Sequence, residues 1–185
     1  MPKTTNPRIE PVNVELQEPL KSKMAKIFPP ELPAPNLYRS VARNESLFID
    51  MIDMGFIGPT GLMDRGTIPS RIRELLILRT CVQARNDYEF NLHERTISQK
   101  MGLSKAEVED LKNRCFDDNL WPDDEASLIA MTDELVQTTS VSDQVFERVS
   151  RHYSEAEIIE MVQLVGLYTS VAMMVSLIKP KLDPY

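Results

Sequence analysis

Cysteine is scarce in this chain of 185 residues: there are only two, Cys81 and Cys115. They lie far apart and in neither metal-ligand nor redox spacing, which excludes a disulfide framework and points to a reducing compartment. Positive charge is also short. The formal net charge is −7 and the pI about 5.0, which argues against a nucleic-acid partner and against an anionic membrane surface. No apolar signal core opens the chain. Residues 164–178 come nearest to a long hydrophobic run. Thr169, Ser170 and Ser176 interrupt it, so the expectation is a soluble, cytoplasmic protein without a membrane span. Glycine numbers six against thirteen prolines, and eight of those prolines precede Leu37. Proline forbids a long helix there, so residues 1–36 read as a proline-rich arm with at most a short helical turn over 20–27.

Residues 37–185 carry the domain, and its spacing is helical almost throughout. Leu37, Val41, Leu47, Met51 and Met54 mark one stretch, with a break near Asn44. Pro69 suits the first turn of a helix carrying Ile72, Leu75, Leu76, Leu78 and Val82. A second central helix is expected from Asn86 to about Met101, with Gly102 closing it. Ser104–Glu107 and Ser154–Glu157 read as capping boxes, the first opening a helix to about Arg114 and the second opening the last helix. A helix to about Thr138 follows Trp121-Pro122, with Asp123, Asp124 and Glu125 at its positive end. Ser142 caps another. The last helix, apolar nearly all round, ends before Pro180 and implies burial on every side, within one subunit or at the contact of a homo-oligomer. No strand is convincing. The expectation is an all-α bundle of about six to eight helices.

Into the apolar setting of the two central helices the sequence places Glu74, Glu89 and one of its two histidines, His93. Buried ionisable groups are costly unless paired, so these require a partner or a task. Glu89 and His93, four apart, share a helix face, with Asn86 on the same side. Glu74, from the preceding helix, reaches His93 if the two helices pack antiparallel. A carboxylate on one imidazole nitrogen would fix the tautomer and leave the other nitrogen for a substrate. The plainer readings stand beside this one. Asn86-Asp-Tyr-Glu89 is itself a capping box, and Glu74 has Arg71 three residues away as an alternative partner.

RIRELLILRT from Arg71, NDYEFNLHERTISQKMGLSKAEVEDL from Asn86, LVQTTSVSD from Leu135 and MVQLVGLYTSVAMMVSL from Met161 together resemble the carboxymuconolactone decarboxylase family. The resemblance covers roughly residues 37–180 and implies the all-helical fold that this family shares with the alkylhydroperoxidase AhpD group. The redox branch of that superfamily uses a Glu, a Cys-x-x-Cys pair and a His. In this register Glu and His fall on Glu74 and His93, while the cysteine positions fall on Asn86 and Glu89. Neither forms a thiolate, so thiol peroxidase chemistry, which needs an attacking and a resolving sulfur, is disfavoured. The resemblance therefore implies the decarboxylase branch, with no metal and no organic cofactor. His93, Glu74 and Glu89 are then the catalytic candidates. Arg71, Arg85, Tyr88 and Asn86 are the candidates for binding a small-molecule substrate, an unsaturated lactone or carboxylic acid. The same residues also suit a dehydratase, cyclase or isomerase. A non-catalytic small-ligand binder remains the third reading. Self-association as a dimer, trimer or hexamer is expected as well.

Overall fold

A computed structural model describes residues 6–12, 15–28, 33–113, 117 and 119–184. Nine helices occur among them: α1 (Leu20–Ile27), α2 (Asn36–Val41), α3 (Glu45–Asp53), α4 (Ser70–Gln83), α5 (Asp87–Thr96), α6 (Lys105–Leu111), α7 (Asp123–Thr138), α8 (Asp143–Ser150) and α9 (Glu155–Ile178). The described residues form no strand, only an isolated bridge between Pro59 and Asp64. The expected all-α class is what forms. The count exceeds six to eight because residues 20–27 make a full helix and Asn44 divides α2 from α3. Asn44 does so as an N-cap, its side chain accepting from the Leu47 N–H.

The chain divides into two compact units, Met1–Arg65 with Met173–Pro184, and Gly66–Ala172. This division differs from the expected boundary after residue 36, and its cause is visible in the first unit. Leu20 and Met24 of α1 bury in one cluster with Tyr38, Ala42, Phe48 and Ile57. The irregular residues of the arm bond to α2 and to the chain's end. Val12 N–H donates to Arg39 O, Ser40 Oγ to Ile9 O, Arg8 N–H to Ile178 O, and Asn36 N–H to Asp183 Oδ1. Prolines that forbid a long helix leave backbone groups to be paired elsewhere, and α2 and the C-terminal segment pair them. The turn at 55–62 needs glycine, because a Cβ on Gly61 would lie 2.5 Å from Gly55 O.

In the second unit α4 is the central element and packs on α5, α6 and α7. Nine of its residues are buried, from Ile72 to Cys81, including Glu74 and Arg79. Arg79 is fully buried. Its guanidinium meets Asp133 of α7 through Nε and Nη2 at 2.5 and 2.6 Å, and its Nη1 donates to the carbonyls of Leu111 and Asn113. One arginine thus ties α4 to α7 and closes the C-terminal end of α6. The α6 capping box forms as expected, with Ser104 and Glu107 bonded reciprocally. The expected helix end near Arg114, and Cys115, lie outside the described residues.

The last helix opens at the Ser154–Glu157 box and ends before Pro180, as expected. Glu155–Ile178 is long and apolar enough, by length and composition, to cross a membrane. Within the fold it packs as a core helix, with Met161, Leu164, Leu167, Tyr168 and Val171 buried. Ile159, Met173 and Leu177 on the same helix are exposed.

Candidate functional site

The site grows from the joint between α4 and α5. Ala84 ends α4, Arg85 adopts φ +56°, and Asn86 caps α5, its Oδ1 accepting from Glu89 N–H at 3.3 Å. The reciprocal half of the box does not form. Asn86 N–H donates to Cys81 O at 2.7 Å. The donor that a boxed Glu89 would accept from is already taken, and the Glu89 carboxylate turns to His93 one turn along α5, with Oε2 3.9 Å from Nε2.

On the other side of the ring, His93 Nδ1 lies 2.9 and 3.1 Å from the two oxygens of Glu74. Ser98 Oγ donates to Glu74 Oε1 at 2.6 Å. Ser98 arrives there because α5 ends at Thr96 rather than near Met101. The N–H groups of Ile97 and Ser98 both donate to His93 O, which curls the chain back onto α4. Tyr168 of α9 sets its ring edgewise to the imidazole, with centroids 5.8 Å apart. Glu74, Glu89, His93 and Ser98 are each at most 5% exposed.

Charge follows from this packing. Burial alone would raise the Glu74 carboxyl, but the His93 charge and hydrogen bond, with Ser98 and Arg73 helping, hold its pKa below the ordinary 4.5. Burial opposes the charged form of His93, yet Glu74, by charge and hydrogen bond, and Glu89 outweigh it and hold the pKa above 6.5. A carboxylate only accepts, so Nδ1 carries hydrogen. Nε2 is the ring nitrogen left for proton exchange, and 3.9 Å to Glu89 is too long for a hydrogen bond.

The other candidates are distributed differently. Asn86 is buried beside Glu89, and its amide NH2 has no hydrogen-bond partner among the described residues. Tyr88 is buried on α5. Arg71 is committed elsewhere: it holds Glu125 through Nε and Nη2, Glu107 through Nη2, and Gly102 O through Nη1. The Arg71 hydrogen bond pulls the Glu107 pKa down to about 2. Arg71 is therefore a clamp among α4, α6 and α7 rather than a partner of Glu74. Arg85 is exposed and lines a cleft of about 970 Å³ that Cys81 also lines; Glu74, Glu89 and His93 are not in that lining. Burial, then the charges of Glu89 and Glu74, push the Cys81 thiol well above its ordinary pKa, so it is not a poised nucleophile. No group of three or more His, Cys, Asp or Glu among the described residues is arranged to hold a metal. Ser98 had no periodic signal, since only the early end of α5 brings it to Glu74.

No family model matches the chain. No curated protein matches it either. Solved structures do. The debrominase Bmp8, without ligand, superposes with a TM-score of 0.76 at 14% identity, over 97% of this chain and 94% of that one. Bmp8 in a cysteine-to-alanine form bound to 2,3,4-tribromopyrrole gives 0.74 at 15% identity, over 97% and 93%. A protein of unknown function from Agrobacterium tumefaciens, provisionally assigned as the antioxidant defence protein AhpD, gives 0.67 at 16% identity, over 78% and 97%. The chain has the AhpD-like all-α fold; at these identities the likeness is one of fold.

Proposed function

We propose that this chain is a cofactor-free carboxy-lyase-type acid–base enzyme acting on a small unsaturated lactone or carboxylic acid. The observation that carries the reading is the two-sided setting of His93. Ionised Glu74 holds Nδ1, and Nε2 faces Glu89 without a hydrogen bond. An imidazole whose charged form is favoured by two carboxylates in a buried site is a positioned acid.

In the proposed step the bond between a substrate carbon and its carboxylate breaks and CO2 leaves. The electron pair passes into a conjugated carbonyl of the substrate and returns to carbon as that carbon takes the Nε2 proton of His93. Glu74 stabilises the imidazolium and fixes its tautomer. Glu89, on the substrate-facing nitrogen, relays the proton that recharges Nε2. The surrounding apolar side chains exclude water and keep these charges strong.

The close spacing of Glu89 and Nε2 also favours a second reading, an isomerisation in which Glu89 removes a proton and His93 returns one at another carbon. Product mass separates the two, as loss of CO2 or no change. The test is a screen of unsaturated lactone acids for CO2 release, followed by His93→Gln and Glu74→Gln on any substrate found. Each substitution is expected to lower turnover by about 10²–10⁴-fold. Unchanged turnover in both sinks the acid–base reading and leaves a ligand binder.

A further inference from the structure

The cleft at the α4–α5 joint has a charge arrangement of its own. Its volume, about 970 Å³, is within the range that accepts a small organic ligand. Most polar groups in its wall are already engaged. Lys112 Nζ is held by Glu94 and Glu109 at 2.9 and 2.8 Å and lies 5.5 Å from the centre of the Phe90 ring. Gln137 donates to Gln83. Asp87 opens α5, where the helix dipole favours its negative charge. Among the described residues the Arg85 guanidinium has neither hydrogen bond nor ion pair, so its fork is open to a ligand, although the wall as a whole, with Arg85 and Lys112 against Asp87 and Glu94, is formally neutral.

Arg85 also occupies a strained place. Its φ of +56° directly after α4 is the left-handed position that helix ends give to glycine. An L side chain there costs roughly 1 kcal/mol relative to glycine. At this position the sequence sets a long, forked cation on the cleft wall at the expense of local backbone stability.

We propose that Arg85 is the carboxylate anchor of a ligand cleft that takes small organic acids with a flat, unsaturated body, the carboxylate on the guanidinium fork and the body against Phe90. A carboxylate matches that fork in two parallel hydrogen bonds. Where the ligand is a substrate, the inference rests on the acid–base reading above, and the anchored carboxylate is a handle rather than the group lost. A contact that vanished with CO2 would stabilise the bound substrate more than the transition state. The substrate class is thus an acid with a second reacting group beyond the anchored carboxylate.

The test is calorimetric titration of the full chain with sorbate, a conjugated monocarboxylate, and with its uncharged methyl ester. Sorbate is expected to bind the wild type with a Kd of about 10 mM or tighter, and His93→Gln equally well. Arg85→Gln is expected to weaken it about tenfold or more. Arg85→Gly, which relieves the positive φ, should lose binding while melting no lower than the wild type, which separates anchoring from folding. The methyl ester should bind the wild type no better than sorbate binds Arg85→Gln. Sorbate affinity within twofold of wild type in both Arg85 variants overturns the proposal, as does absence of sorbate binding, or equal binding of the ester. If His93→Gln leaves turnover unchanged while binding still depends on Arg85, the acid–base reading fails and the anchor stands.

Discussion

His93 lies between two carboxylates that treat it differently: Glu74 holds Nδ1 at 2.9 Å, and Glu89 stands 3.9 Å from Nε2. The first contact is structural and electrostatic, and the second is an approach without a bond. The difference comes from backbone bookkeeping at Asn86, whose N–H goes to Cys81 O and so draws no carboxylate back to the helix start.

The Glu74–His93 pair should give stability a bell-shaped dependence on pH. His93, with its pKa raised in the folded state, contributes fully below 6.5, and that contribution is lost as pH rises through its folded value. Glu74, with its pKa lowered, contributes fully above 4.5 and loses that contribution as pH falls through its folded value. Urea midpoints of the wild type and His93→Gln across about pH 4 to 9 should therefore differ most between these two ordinary values. A difference that stays flat with pH would show that the pair is not charged as described.

Asp133→Asn should destabilise the second unit severely, by about 3–5 kcal/mol, because it leaves the fully buried Arg79 without its carboxylate. The double variant Arg79→Met, Asp133→Leu should recover part of that loss, limited by the Leu111 and Asn113 carbonyls that lose their donor. Denaturant unfolding of the three proteins measures both. A double variant no more stable than the single one would mean that lost packing, and not stranded charge, dominates.

Cys81 should be chemically inert in the native chain. In a Cys115→Ser background, iodoacetamide at neutral pH should alkylate Cys81 slowly, and quickly once urea unfolds the protein, since its thiol is buried and its thiolate disfavoured by Glu89 and Glu74. Rapid labelling of the folded protein would reopen thiol chemistry at this site.

Much of the architecture was legible in the residues because it is written in local signals. The 3.6-residue spacing, the break near Asn44, the Ser104 box and the break before Pro180 each act within a few positions. The nearness of Glu74 to His93 was legible too, once α4 and α5 were taken as antiparallel neighbours. What was not legible depends on competition between distant partners. Arg71 had a carboxylate three residues away yet chose Glu107 and Glu125, which offer a fork-shaped pair from two other helices. The box at Asn86 had every residue it needed and stayed half open, because a carbonyl five residues back reached the N–H first. The proline-rich arm carried no hint of its partners: it offers mainly backbone groups, which have no sequence signature, to the Arg39 and Ile178 carbonyls and to the side chains of Arg39, Ser40 and Arg43.

The hydrogen bond from Asn86 N–H to Cys81 O has one further consequence, in the order of assembly. It spans the joint, so the first turn of α5 finds its geometry only on a finished last turn of α4. The short α5, ten residues long, is marginal alone. It should therefore nucleate by templating, and the two helices should open and close as a single cooperative segment. The histidine and both of its carboxylates belong to that segment, so the site is formed whole or absent and has no half-assembled state.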